Sequence, residues 1–220
     1  MITRRAMFIV AALLVLVASV GAQNRSLGPK EREVILDARV DASFASTALS
    51  KVAFLPFSNE LDYAEGADVL AQHFIAAMTQ KHPEIEIVAP EACRNLIRDL
   101  KLAQEYRSFS GNYANTGVYT TLFLKALGDQ GQVDGVLLGR VLGYGVERRT
   151  SGLTIQGVGT IWWNTDRAVA GMELTLIRPK EGRELWRGVH VVEGAKNENV
   201  LEVAKTVGAV FATFFGRRPY

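Results

Sequence analysis

The chain has 220 residues, with 25 basic against 23 acidic side chains, three histidines and a single cysteine. One cysteine rules out an intrachain disulfide, and the near-balance of charge argues against the basic stripe on which nucleic-acid binding depends. Apolar residues make up 48% of the sequence, so the fold is expected to hold by packing alone.

Residues 1–22 begin with Arg4 and Arg5, continue through an uncharged run rich in Ile, Leu and Val, and meet polar Gln23, Asn24 and Arg25. That is the layout of a cleavable secretory signal peptide, with Val20 and Ala22 small enough to place the cut after Ala22. The competing reading is an uncleaved anchor helix. The apolar run, 17 residues long, falls short of the roughly 20 a span requires, which favours cleavage. The leader carries away two arginines and no acid, so the remainder is neutral, and no later stretch is long enough to span. No cysteine follows the cut, so no lipid anchor is expected, and membrane contact is expected only if the leader is retained.

Residues 23–50 are polar and small, with one apolar patch at Val34 to Leu36, and read as an extended arm. Residues 51–216 read as a single α/β domain. Its first element is Val52-Ala-Phe-Leu55, apolar throughout as in a strand buried on both faces, ended by Pro56 and a turn at Ser58-Asn59. Over 62–80, Ala67, Leu70, Ala71, Phe74 and Met78 fall at helical spacing. Ile85, Ile87 and Val88 give a second strand. Pro90 opens a second helix that turns Cys93, Leu96, Ile97 and Leu100 to the core. Residues 106–116 read as a polar, aromatic loop, and 118–127 as a third helix ended by Gly128. A long strand follows over 133–146, with glycines that imply twist or a bulge. Residues 152–163 read as a hairpin arm with its turn at Asn164-Thr165-Asp166. The alternation of Met172, Leu174 and Leu176 with Glu173 and Thr175, then the turn 179–182, then 184–192, is the strongest hairpin signal. A closing helix over 198–215, capped by Asn197, completes the order β-α-β-α-α, then antiparallel strands and a C-terminal helix. The expected fold class is α/β, a mixed sheet with helices covering it.

Four blocks, Lys51-Val-Ala-Phe-Leu-Pro-Phe-Ser-Asn59, Ile87-Val-Ala-Pro90, Val133-Asp-Gly-Val-Leu-Leu-Gly139 and the hairpin from Met172 to Trp186, occur in one order and spacing. In these the chain resembles the TolB N-terminal and CsgG-like superfamily of bacterial envelope proteins, which includes LpoB-type activators. The resemblance covers roughly residues 51–216. It implies an α/β domain that works in the periplasm, or against the outer membrane, by contacting envelope proteins or associating with itself, with no cofactor and no catalytic residues. Two features depart from the family. There is no cysteine for lipidation, and Glu147, Arg148, Arg149, Asp166 and Arg167 do not suit a membrane-spanning hairpin.

The residues themselves offer little catalytic chemistry. His73, His82 and His190 fit no metal-ligand spacing, and the glycines of 139–145 lack the Gly-Lys-Ser/Thr ending of a phosphate loop. Glu60, Asp62 and Glu65 read as a charged helix start. The aromatics Tyr106, Phe109, Tyr113, Trp162 and Trp163 are the candidate partner-binding residues, because Trp and Tyr dominate protein contacts. Adjacent strand residues face opposite sides, so at most one of Trp162 and Trp163 can be core. The expectation is a non-enzymatic binding or assembly module. The alternative is a periplasmic small-ligand protein or enzyme with a pocket at the strand ends near Ser58, Asn59 and Glu60.

Overall fold

A computed structural model describes the backbone of residues 32–60, 62–155 and 159–218, and the side chains of these from 36 onward except 149–155, 159–164 and 196. The leader expected over 1–22 and the first part of the arm lie outside the described residues. Six strands form one mixed sheet: β1 (Arg32–Val40), β2 (Lys51–Phe54), β3 (Glu86–Val88), β4 (Gly135–Ile155), β5 (Gly159–Arg178) and β6 (Arg183–Lys196). Their order across the sheet is β1-β6-β5-β4-β2-β3. β2 runs parallel to β3 and β4, and the remaining pairs are antiparallel. Among the described residues no helix is long and apolar enough to cross a membrane.

The apolar run of β2 does what its composition requires. Val52 and Phe54 enter one core and Ala53 and Leu55 the other, all within 2% of complete burial. The first core lies beneath α1 (Ala64–Lys81) and α5 (Val200–Phe214), with Leu70, Phe74, Met78, Val207 and Phe211 packed on Leu137, Met172, Leu174, Leu176 and Trp186. Phe74 and Trp186 each meet Phe211 edge-on at ring separations of 6.3 and 5.9 Å, the geometry that opposed ring quadrupoles favour. The second core lies under α2 (Pro90–Asp99), α3 (Ala103–Thr116) and α4 (Thr121–Gly131), which bring Cys93, Ile97, Phe109, Phe123, Leu124 and Leu127 onto Val136, Leu138 and Ile177.

The helices α1 and α5 cross unusually closely. A β-carbon placed on Gly208 would stand 2.7 Å from the carbonyl carbon of His73 and 2.8 Å from the amide nitrogen of Phe74. Only glycine fits there without moving the α1 backbone. At the β5–β6 turn, Gly182 takes the left-handed conformation at φ +65°, which a side chain would oppose.

The structure corrects the expected organisation in five places. The arm over 23–50 is, along β1, an edge strand paired with β6 from Arg32–Glu193 to Val40–Trp186, so the sheet begins well before residue 51. Its Leu36, Ala38 and Val40 stand at strand spacing, but three residues, one of them alanine, make too short and weak a face to register as core. The expected loop over 106–116 is α3, whose serine, glycine and asparagine content hid the helical spacing of Tyr106, Phe109 and Tyr113. The third helix does not stop at Gly128 but runs to Gly131, with Gln132 left-handed at φ +52° as its cap. Asn164-Thr165-Asp166 is not a turn, because these residues pair with Thr150, Arg149 and Arg148 inside the β4–β5 ladder. The cap of the closing helix is Asn199, whose side chain accepts a hydrogen bond from the Leu201 amide at 2.9 Å, while Asn197 sits in the preceding turn at φ +64°.

Candidate functional site

Strand alternation sends Arg140 of β4, Glu173 and Thr175 of β5, Arg187 and Val189 of β6, and Asp37 and Arg39 of β1 to the sheet face away from the first core. The second core, built by α2, α3 and α4, draws on β2, β4 and the end of β5, and takes nothing from β1 or β6. The charged half of the face stays open, and where it meets the C-terminal end of α3 it forms a cleft of about 390 Å³. A smaller hollow of about 160 Å³ adjoins it, bounded by Asp37, Arg39, Arg187 and Val189.

The charges of the cleft are arranged in a definite way. Glu173, with a side chain 15% exposed, forms an ion pair with Arg187. Tyr113, on the last turn of α3, is hydrogen-bonded to Thr175, and burial beside Glu173 raises its phenol above the ordinary range. The Tyr119 hydroxyl donates to the Gly182 carbonyl at 3.4 Å, and burial together with Glu184 raises its phenol as well. Arg140 and Glu184, which also line the cleft, make no ion pair among the described residues. Such a site can hold a polar ligand by charge and hydrogen bonding.

The aromatic candidates separate on inspection. Phe109 is 2% exposed and packs at 5.0 Å from Phe123, and Tyr106 packs at 5.4 Å from the same ring. Phe109 belongs to the second core, and Tyr106 packs half-buried against it. Of Tyr106, Phe109 and Tyr113, the last alone lines the cleft. Trp162 and Trp163 pair with Gly152 and Ser151 in the β4–β5 ladder, and their side chains lie outside the described residues.

Of the strand-end trio, Asn59 is structural. Its Nδ2 donates to the Val141 carbonyl at 2.8 Å and its Oδ1 accepts from the Val141 amide at 2.9 Å. The side chain thus takes the place of one residue of a neighbouring strand, where β4 has outrun β2. Glu60 is paired with Arg94, and Ser58 alone lines the cleft. Sequence reasoning missed Arg140, Glu173, Glu184 and Arg187. The alternation of 172–176 marked Glu173 as facing away from the core, but nothing local showed that the helices leave that face uncovered.

The second distinctive feature is the far end of the β4–β5 hairpin. β2 leaves β4 at the pair Phe54–Leu137, and β6 leaves β5 at the pair Lys196–Arg167. Beyond that point the two strands pair only with each other among the described residues, from Arg148–Asp166 to Ile155–Gly159. At roughly 3.3 Å per residue this ribbon is about 25 Å long. An exposed ion pair at 3.0 Å between Arg148 and Asp166 marks its root and holds the Asp166 carboxyl below its ordinary range.

Among the described residues no group of three or more histidine, cysteine or carboxylate side chains is placed to hold a metal ion. His82 pairs its Nε2 with the Ala212 carbonyl at 3.0 Å, and His190 lies buried against Phe211 in the first core.

No protein-family model matches the sequence, and no match is found among curated proteins. Among solved structures, the chain is similar to the PelC dodecamer from Paraburkholderia phytofirmans at 14% identity and a TM-score of 0.48, covering 81% of this chain and 96% of that one. It is also similar to lipoprotein GNA1162 from Neisseria meningitidis, at 17% identity and a TM-score of 0.45 over 74% of this chain and 96% of the other.

Proposed function

We propose that this chain is a non-catalytic protein of the bacterial envelope, of the TolB N-terminal and CsgG-like kind, that binds or assembles through protein contacts made by the β4–β5 ribbon. The observation that supports this reading is the ribbon's pairing. A two-stranded hairpin is marginal in water by itself, and this one presents two rows of backbone donors and acceptors with no neighbouring strand among the described residues. A strand from an envelope protein, or from a second copy of this chain, would satisfy one row by edge addition. The balanced charge of the chain after the leader fits protein contact better than nucleic-acid binding.

The test is photo-crosslinking in cells from a benzoyl-phenylalanine placed at position 163 or 151, with the adducts identified by mass spectrometry. The expected result is a discrete adduct from the ribbon and none from the opposite end of the sheet, at Lys180. A variant in which a two-residue turn replaces 149–165 should keep its melting temperature within a few degrees and form no complex. Absence of ribbon adducts, or a complex that survives the replacement, would refute the proposal. N-terminal sequencing of the exported protein tests cleavage after Ala22.

A further inference from the structure

The cleft on the open sheet face contains four charged side chains, Arg140, Glu173, Glu184 and Arg187. Arg187 and Glu173 neutralise each other. The two that remain are of opposite sign and lie apart. Arg140 is exposed on β4 opposite Glu173, and Glu184 is half-buried on β6 opposite Ile177.

The register gives the scale of their separation. Four residues along β5 and two strand spacings across the sheet put the two α-carbons about 17 Å apart, at roughly 3.4 Å per residue and 4.8 Å per strand. Strand side chains stand roughly upright from the sheet, so the charges keep much of that separation, and a contact of about 3 Å at each end leaves about 11 Å between them, close to the span of three extended residues.

The rest of the lining is polar. The rim carries the C-terminal turn of α3, at 114–117, where the helix dipole is negative and no basic residue stands in the last turn, which favours an ammonium group. Ser58, whose amide donates to the Gly139 carbonyl next to Arg140, joins the lining and offers a hydroxyl there. Between the two, Thr175, Tyr113, Tyr119 and Asn115 supply groups able to bond peptide amides. A volume of about 390 Å³ is at the small end of ligand pockets.

We propose that this cleft binds a short zwitterionic peptide, about three residues long, with its carboxylate on Arg140 and its ammonium at Glu184. The guanidinium suits a carboxylate because it can present two parallel N–H donors. This site shares no residue with the ribbon, so the two proposals stand or fall separately.

The experiment is calorimetric titration of the full chain with trialanine at low salt, alongside C-amidated trialanine, N-acetylated trialanine and free alanine. Trialanine should bind at millimolar concentration or below, and each cap should weaken it about tenfold. Arg140→Gln should weaken trialanine by a similar factor and lose its sensitivity to amidation, and Glu184→Gln should lose its sensitivity to acetylation. Both are polar substitutions, Arg140 at an exposed and Glu184 at a half-buried position, and a circular-dichroism melt establishes that each variant is folded. No binding of trialanine at millimolar concentration, caps that change affinity less than about twofold, or variants that retain their cap sensitivity would overturn the proposal. Equal affinity for free alanine would overturn the three-residue span. The ribbon replacement should leave trialanine affinity unchanged.

Discussion

Replacing Gly208 with alanine sets two effects of opposite sign against each other. Helix propensity alone says that alanine should stabilise α5 by about 1 kcal/mol. The close crossing with α1 says otherwise. The new methyl would stand 2.7 Å from the carbonyl carbon of His73 and 2.8 Å from the nitrogen of Phe74. Carbon atoms prefer about 3.5–4.0 Å, so the overlap approaches 1 Å, and both opposing atoms are backbone that cannot swing aside. The helices must separate, which loosens the Phe74–Phe211 contact as well. Overpacking costs about 1–3 kcal/mol, and with backbone as the opposing surface the upper part of that range, about 2–3 kcal/mol, applies. The steric cost offsets the propensity gain, and Gly208→Ala should lose about 1–2 kcal/mol. In a domain of this size that is a fall of roughly 3–6 °C in melting temperature. Urea denaturation followed by far-ultraviolet circular dichroism should show a lower midpoint at an unchanged slope. A midpoint that stays put or rises would refute the reasoning, since it would mean that α5 can withdraw from α1 without loss.

Asn59→Ala should cost about 1–3 kcal/mol, because it leaves the Val141 amide and carbonyl without partners at a half-buried site, and amide exchange at Val141 should quicken. Burial lowers His190 from 6.5 to about 4, against a backbone hydrogen bond at Val207 that acts the other way. The unfolded chain therefore takes up the proton first. The stability that neutral His190 provides is complete above pH 6.5 and is lost as the pH falls toward 4, by about 3 kcal/mol in all. His190→Gln should flatten that part of the urea-midpoint profile, and a variant with an unchanged slope between pH 6.5 and 4 would contradict it. Burial pushes the Cys93 thiol up to about 12. Ellman's reagent at pH 8 should label it only in denaturant, and stoichiometric labelling of the native protein would show that α2 opens readily.

Local pattern disclosed some parts of this structure and hid others for physical reasons. The doubly buried β2, the α1 stripe from Ala67 to Met78 and the turn at 179–182 each concentrate their signal in a few neighbouring residues. The helix α3 does not. Ser108, Ser110, Gly111 and Asn112 favour loops by propensity, and only its packing on Phe123 overrides them. β1 is held by a partner strand at the far end of the chain, so its own sequence carries little sign of it. The cleft was illegible for the same reason. Arg140, Glu173, Glu184 and Arg187 come from three strands, and their openness depends on where three helices happen to end. The aromatic cluster at 106–113 was conspicuous in sequence, yet Phe109 belongs to the core and Tyr106 and Tyr113 pack half-buried against it.

The pairing of β1 with β6 also bears on when the protein can fold. Leu36 lies opposite His190, so among the described residues the first strand of the sheet finds its only neighbour in the last one. A chain that emerges from its N-terminus keeps β1 without a template until nearly all of it has appeared, and contacts of such long sequence separation form slowly. Closure of the sheet is thus a late step in folding. For a chain read as exported, that delay is useful, because a polypeptide whose ends must meet before its sheet is complete stays threadable for longer.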